Sequence, residues 1–227
     1  MIGTRPEAIK LAPIALELVR WGVPIHLYPT GQHPGLDPAD HGLGGQPATQ
    51  RRARNLVAAI RVPAVVDADG LNALAEGGSW WTGLRAPLVL TPHPGEFGRL
   101  VRGDPPPADD EALRSRAALD AALRWRQVVV LKGAKSVVAG PDGDLLRSDV
   151  SSPALATAGT GDVLAGAIGG FLAGGLTPFV AAACGVAVHG AAGLLAEDRI
   201  GRAGVMARDV ATLLPEAIEQ LRGGRRR

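Results

Sequence analysis

Cysteine is nearly absent. Cys184 stands alone in "AAACGVAVHG", so no internal disulfide can form and no CxxC pair offers a metal site. A single inert, buried thiol fits a reducing compartment, and the expected location is cytoplasmic. The chain also lacks a charged n-region followed by an apolar h-region, so no secretory signal is expected. No stretch reaches the ~18 uninterrupted apolar residues that would suggest a membrane span, so no membrane partner is expected. Aromatics make up only 4% of the residues and do not interleave with a basic stripe, which argues against nucleic acid as a partner. No internal repeat of fixed period is visible.

What is present is globular. Across 227 residues, 46% are hydrophobic and 20% charged, enough for one large domain or two small ones. The 31 glycines and 18 prolines are spread between short elements, as α/β folds require. The formal charge of +2 reflects the tail "RGGRRR"; without its four arginines the body stands at −2. Residues 222–227 read as a basic, solubilising tail.

The apolar pattern predicts an order of elements. Residues 5–20 have helical periodicity and 23–28 read as a strand, followed by a Pro/Gly/Asp-rich loop over 29–47. A helix is expected over 48–60, then the strand "AVVDA" and a turn. "APLVLTPHPGEFGRL" (86–100) repeats strand, loop and helix. A helix over 109–124 leads into "QVVVLKGAKSVVAGPDG", read as strand, turn and strand, with "PDG" as a hairpin turn. Three helices close the chain: Val163–Leu172, one from Thr177 and Pro178 to about Leu195, and Val205–Leu221. Thr177 is the expected cap of the second. The three together are expected to cover one side of an open α/β sheet.

The stretch "ATAGTGDVLAG" (156–166) places a lone carboxylate among glycines at the mouth of an apolar helix. Such an N-terminus offers unpaired N–H groups and about half a positive charge, which suits a phosphate. Gly159 and Gly161 let the backbone approach an anion, and Thr160 is expected to add a hydroxyl donor. Asp162 then sits where it can take the proton of a substrate hydroxyl. A helix-capping role for Asp162 is the bland alternative for GxGD taken alone.

"AGTGDVLAG" resembles the ribokinase-like superfamily. "GLGGQPATQ" (42–50), "VPAVVDADGLNAL" (62–74), "LTPHPGEFGRL" (90–100), "VVVLKGAKSVVAGPDG" (128–143) and "ALATAGTGDVLAGAIGGFLAGGLTP" (154–178) follow in order, then "VHGAAGLLA" (188–196) and "ARDVATLLPEAI" (207–218). Over about residues 42–221 the chain is similar to the ADP-dependent NAD(P)H-hydrate dehydratases. The resemblance implies a three-layer α/β/α sandwich, truncated at its N-terminal side. It also implies use of ADP or ATP, with Mg2+, to phosphorylate the hydroxyl of hydrated NADH or NADPH before elimination.

By the same resemblance Asp162 is the catalytic base and touches the substrate. The nucleotide would be lined by Lys132, Gly133, Ala134, Lys135 and Ser136, and by Thr157, Ala158, Gly159, Thr160 and Gly161. Gly42, His93, Pro94, Gly95 and Glu96 would face the substrate, with Glu96 a candidate for the metal through water; the metal ligands are otherwise unknown. Family members commonly form tetramers, so a homo-oligomer is implied.

Several residues have plainer readings. Taken alone, Lys132 reads as a solvated strand-end lysine and His93 as a loop residue held by backbone hydrogen bonds. Asp67 and Asp69 read as caps of the turn and helix, Asn72 as a residue holding that loop, His189 as a packed core histidine, and Trp80 and Trp81 as packing at a helix end. Residues 2–41 depart from the dehydratase pattern. "IGTRPEAIKLAPIALELVR" and "TGQHPGLDPADHGL" resemble the start of the non-hydrolysing UDP-N-acetylglucosamine 2-epimerases, where Arg5 and Lys10 would correspond to the nucleotide-sugar loop. The organisation expected is therefore an epimerase-like α/β segment over 1–41, a dehydratase-like domain over 42–221 and the tail. Three readings stand: a dehydratase, a nucleotide-binding but inactive chimera, and a small-molecule kinase of the same superfamily.

Overall fold

A computed structural model describes residues 47–223. The helix and strand expected over 5–20 and 23–28, the epimerase-like Arg5 and Lys10, and Gly42 lie outside the described residues.

Five strands form one mixed sheet in sequence order: β1 (Ala64–Val66), β2 (Leu88–Leu90), β3 (Val128–Leu131), β4 (Val137–Ala139) and β5 (Leu145–Arg147). The first three are parallel, with Val66 opposite Leu90 and Leu90 opposite Val129. β3 turns back on β4 with Leu131 opposite Val137, and β4 on β5 with Ala139 opposite Leu145. The expected "PDG" hairpin is present, with Gly143 at φ 97° supplying a left-handed turn residue. Parallel neighbours need helical crossovers. These are α2 (Asp69–Ala75) between β1 and β2, then α3 (Pro94–Val101) and α4 (Glu111–Trp125) between β2 and β3.

The period-two alternation of strand side chains makes the layers. Leu88, Leu90, Val129, Leu131, Val137 and Ala139 meet Leu71, Phe97, Leu100, Ala118 and Trp125 on one face, where Val57 of α1 (Pro47–Ala59) joins them. Val89, Val128, Val130 and Val138 point the other way, against Leu164 and Ile168 of α5 (Thr160–Ala173) and Ala182 and Val186 of α6 (Pro178–Ile200). Trp80 and Trp81 pack as expected: Trp80 lies 5.2 Å from Trp125 and 5.7 Å, edge-on, from Trp81.

The last helix, α7 (Ala207–Gly223), departs from expectation. It belongs to a separate apolar cluster with α5 and α6 that holds no strand residue, so two helices cover this sheet face and the third packs outside them. The amphipathic pattern of α7 says which of its faces is apolar but not whether a sheet or a helix meets it. Thr177 occupies the cap position of α6, with Pro178 after it, but its side chain makes no capping bond. α6 is long and apolar enough to cross a membrane, with mean hydropathy 1.9, yet 56% of that window is buried within the protein. Cys184, on this helix, is half-buried rather than enclosed.

Candidate active site

In a parallel sheet the residues following each strand emerge at one edge, where α/β proteins bind ligands. Here β1 is followed by Asp67, β2 by Thr91–Glu96 and β3 by Lys132, so three strands deliver one carboxylate, one His/Glu pair and one ammonium to the same edge. The Lys132 N–H donates to the Pro92 carbonyl at 2.8 Å, which extends the β2–β3 contact to this point.

Lys132 is not a solvated strand-end lysine. Its side chain is only 19% exposed; Nζ lies 2.7 Å from Asp67 Oδ1 and 3.9 Å from Glu96 Oε2. The same Nζ is 3.3 Å from the place a Cβ on Gly161 would occupy, with Asp67 Oδ2 at 3.8 Å. Glycine at 161 therefore lets the ammonium reach the first turn of α5. The preceding Gly159, at φ 88°, is the left-handed residue from which that helix starts. Gly159, Gly161 and Asp162 are half-buried and Ala158 is exposed, so the turn borders solvent. The N-terminal end of the α5 dipole and the Lys132 ammonium thus meet at this turn, with the Lys132 charge offset by Asp67.

Two expected roles change. The Thr160 hydroxyl is buried and turned inward, at 2.7 Å from the Leu155 carbonyl and 2.8 Å from that of Thr157, so it braces the turn instead of facing an anion. Asp67 does not cap α2. Ala68 holds that position at φ 50° with no side-chain capping bond, and the Asp67 carboxylate pairs with Lys132. Asn72 does hold its region together: its Nδ2 donates to Asp69 Oδ1 at 3.3 Å, and its Oδ1 accepts from Arg99 Nε of α3 at 2.8 Å.

"HPGE" forms a capping box at the start of α3. His93 Nδ1 accepts from the Gly95 and Glu96 amides, and Glu96 Oε2 accepts from the His93 N–H at 2.8 Å. The Nδ1 atom is therefore unprotonated and the proton lies on Nε2, which is 3.4 Å from Glu96 Oε1. The backbone-held reading of His93 is correct for that nitrogen, while the ring stays exposed. Glu96 is buried, and burial raises its carboxyl above the ordinary glutamate range against the opposing pull of Lys132 and the His93 amide.

A model of the NAD(P)H-hydrate dehydratase family matches residues 40–216. The chain belongs to that family.

Its relatives agree. The chain is 44% identical over 180 residues to the bifunctional NAD(P)H-hydrate repair enzyme Nnr of Moorella thermoacetica, covering 79% of this chain and 34% of that one. It is 41% identical over 174 residues to the ADP-dependent (S)-NAD(P)H-hydrate dehydratase of Xanthomonas campestris, covering 75% and 59%. A crystal structure of the ADP/ATP-dependent NAD(P)H-hydrate dehydratase of Bacillus subtilis, co-crystallized with ATP/Mg2+, superposes with a TM-score of 0.68 at 32% identity, over 77% of this chain and 61% of that one. The fold is ribokinase-like. The chain thus spans about a third to three fifths of these relatives' lengths. The family match begins at residue 40.

Within this family frame the remaining predicted residues separate. Lys135 is exposed and tied to Glu111, which also binds Arg147 at 3.1 Å. Ser136 closes the 132–136 turn, its hydroxyl 3.4 Å from the Gly133 carbonyl and its own carbonyl accepting from Ser148. No group of three or more His, Cys, Asp or Glu side chains placed to hold a metal ion occurs among the described residues. A shallow depression of about 510 Å3 lined by Pro107, Asp109, Asp110 and Glu111 contains none of the predicted residues, and its acidic lining is unsuited to phosphate.

Sequence reasoning missed Arg114, buried beneath the end of β3. It placed His189 in the core correctly but not its neighbourhood. That ring contacts the Thr160 backbone within reach of the Lys132 charge, its Nε2 has no partner, and burial pushes its pKa down to about 4.

Proposed function

We propose that this chain carries the nucleotide and substrate-activating half of an NAD(P)H-hydrate dehydratase, acting with ADP or ATP on hydrated NADH or NADPH. One observation supports the reading above the others: the Lys132 ammonium lies against Gly161 at the first turn of α5, one residue before Asp162.

The residues present fit a nucleotide phosphate. The Gly161 Cα carries no side chain to block approach, and the Lys132 ammonium, shared with Asp67, stands beside it. A phosphate arriving there competes with Asp67 for the ammonium. The 132–136 turn would flank the rest of the nucleotide. A bound nucleotide supplies the phosphoryl group that makes the ring hydroxyl a leaving group, and Mg2+ screens its charge. With no built ligand set among the described residues, the cation would be held chiefly by the phosphates, with Asp67 or Glu96 reached through water.

Asp162 accepts the hydroxyl proton as that oxygen is phosphorylated. The exposed His93 ring and Pro94 lie at the same sheet edge and would face the nicotinamide part. Departure of the phosphorylated oxygen, with loss of a proton from the neighbouring ring carbon, then restores the double bond of the reduced ring.

Incubating the chain with hydrated NADH, ADP and Mg2+, and following absorbance in the reduced-nicotinamide band, tests this. Recovery that requires both chain and nucleotide is expected. A folded, ADP-binding protein that gives no recovery would contradict the dehydratase reading and leave a nucleotide-binding protein without turnover.

A further inference from the structure

Arg114 is a cation at a core position. On α4 it lies in line with Ala118, Ala121, Ala122 and Trp125, the residues that pack on the sheet, and it is only 3% exposed. Among the described residues no carboxylate forms an ion pair with it. Burial accordingly lowers its pKa from the ordinary arginine value. An unpaired buried charge is destabilising unless other groups offset it. Here the offset comes from backbone carbonyls: Nη2 donates to Leu131 O at 3.3 Å and to Lys132 O at 3.2 Å.

The next residue is shaped to receive the guanidinium. A Cβ on Gly133 would stand 2.5 Å from Arg114 Nη2, 3.0 Å from Cζ and 3.3 Å from Nη1. Lys132 therefore has both backbone groups tied, its N–H to Pro92 O and its carbonyl to Arg114. That fixes the peptide from which its side chain departs toward Gly161. We propose that Arg114 is a positioning residue for nucleotide binding: its fork, seated against Gly133, sets Lys132 and the 132–136 turn and places a fixed positive charge beneath them. This rests on the reading of that turn as the nucleotide loop. Both bonds come from the one nitrogen Nη2, while Cζ and Nη1 lie against Gly133, a fit that a lysine ammonium does not reproduce.

The test compares wild type, Arg114→Gln, Arg114→Lys, Gly133→Ala and the Arg114→Gln/Gly133→Ala pair. Calorimetric titration with ADP and Mg2+ gives Kd, steady-state rates give KM for each substrate, and melting curves report folding. Arg114→Gln and Gly133→Ala should each weaken ADP about tenfold or more, and KM for hydrated NADH should move less than twofold. Arg114→Lys should fall between them and wild type. Gly133→Ala should add little further loss in the Arg114→Gln background, because the methyl group acts by displacing the guanidinium. ADP affinity within twofold of wild type in folded Arg114→Gln would overturn the proposal alone. If Arg114→Gln does not fold, Gly133→Ala decides on the same criterion. Wild-type protein that fails to bind ADP would overturn the nucleotide reading, and this proposal with it.

Discussion

His189 offers a quantitative check on the ground beneath the candidate phosphate site. Its ring is 8% exposed, touches the Thr160 backbone and leaves Nε2 without a partner. Burial above all, with the Lys132 charge adding to it, pushes its pKa from 6.5 to about 4, against the hydrogen bond to Thr160. The unfolded chain binds this proton near pH 6.5 while the folded chain refuses it until about pH 4. Stability is therefore whole above pH 6.5, falls as pH drops through that value, and stops falling below about 4. At roughly 1.4 kcal/mol per pKa unit the full loss is about 3 kcal/mol, and about 2 kcal/mol of it is gone by pH 5. His189→Gln removes the titration. Urea unfolding of both proteins at pH 7.5 and pH 5 should show the variant losing about 2 kcal/mol less than wild type between the two. Any pH-independent effect of the glutamine cancels in that difference. Equal pH losses in the two proteins would refute the assignment of a buried, neutral His189.

Three further outcomes follow from the packing and the charges. In a double-mutant cycle of Asp67→Asn and Lys132→Met, the pair should couple by about 1–3 kcal/mol in chemical denaturation, because both side chains are largely enclosed; a coupling below about 0.5 kcal/mol would deny the contact. Gly185→Ala would set a methyl 2.4 Å from Ile168 Cγ1 between α6 and α5, and calorimetry should show a loss of roughly 1–3 kcal/mol. Gly159→Ala, at φ 88°, should lose about 1–2 kcal/mol and also weaken ADP binding measured by titration, since it distorts the turn that begins α5.

The local geometry of the candidate site could be read in one dimension. "AGTGDVLAG" contains the left-handed glycine, the open glycine and the acid within four residues, and the structure places them at a helix start that borders solvent. "HPGE" likewise carries its capping box in adjacent residues. What could not be read were contacts set by strand order. Asp67 and Lys132 are 65 positions apart and meet only because β1, β2 and β3 lie side by side and parallel. Read alone, Asp67 near a helix start is a cap; the sheet turns it into a counter-ion. Arg114 left a trace, a cation in an otherwise apolar stripe, but its target is the backbone at the far end of the next strand, 17 and 18 positions on. Thr160 went the other way. Its hydroxyl stands beside the candidate phosphate-binding amides in sequence, yet the short turn before α5 offers two carbonyls closer at hand.

Asp162→Asn is the most direct measurement of the central claim. ADP affinity by titration and recovery of reduced nicotinamide from its hydrate should be measured on the same preparation. With Asp162 as proton acceptor beside the phosphate-binding turn, turnover should fall by about two to four orders of magnitude while ADP affinity stays within a few-fold of wild type. Turnover that survives the substitution, or a collapse of ADP binding with turnover per bound nucleotide unchanged, would contradict that role.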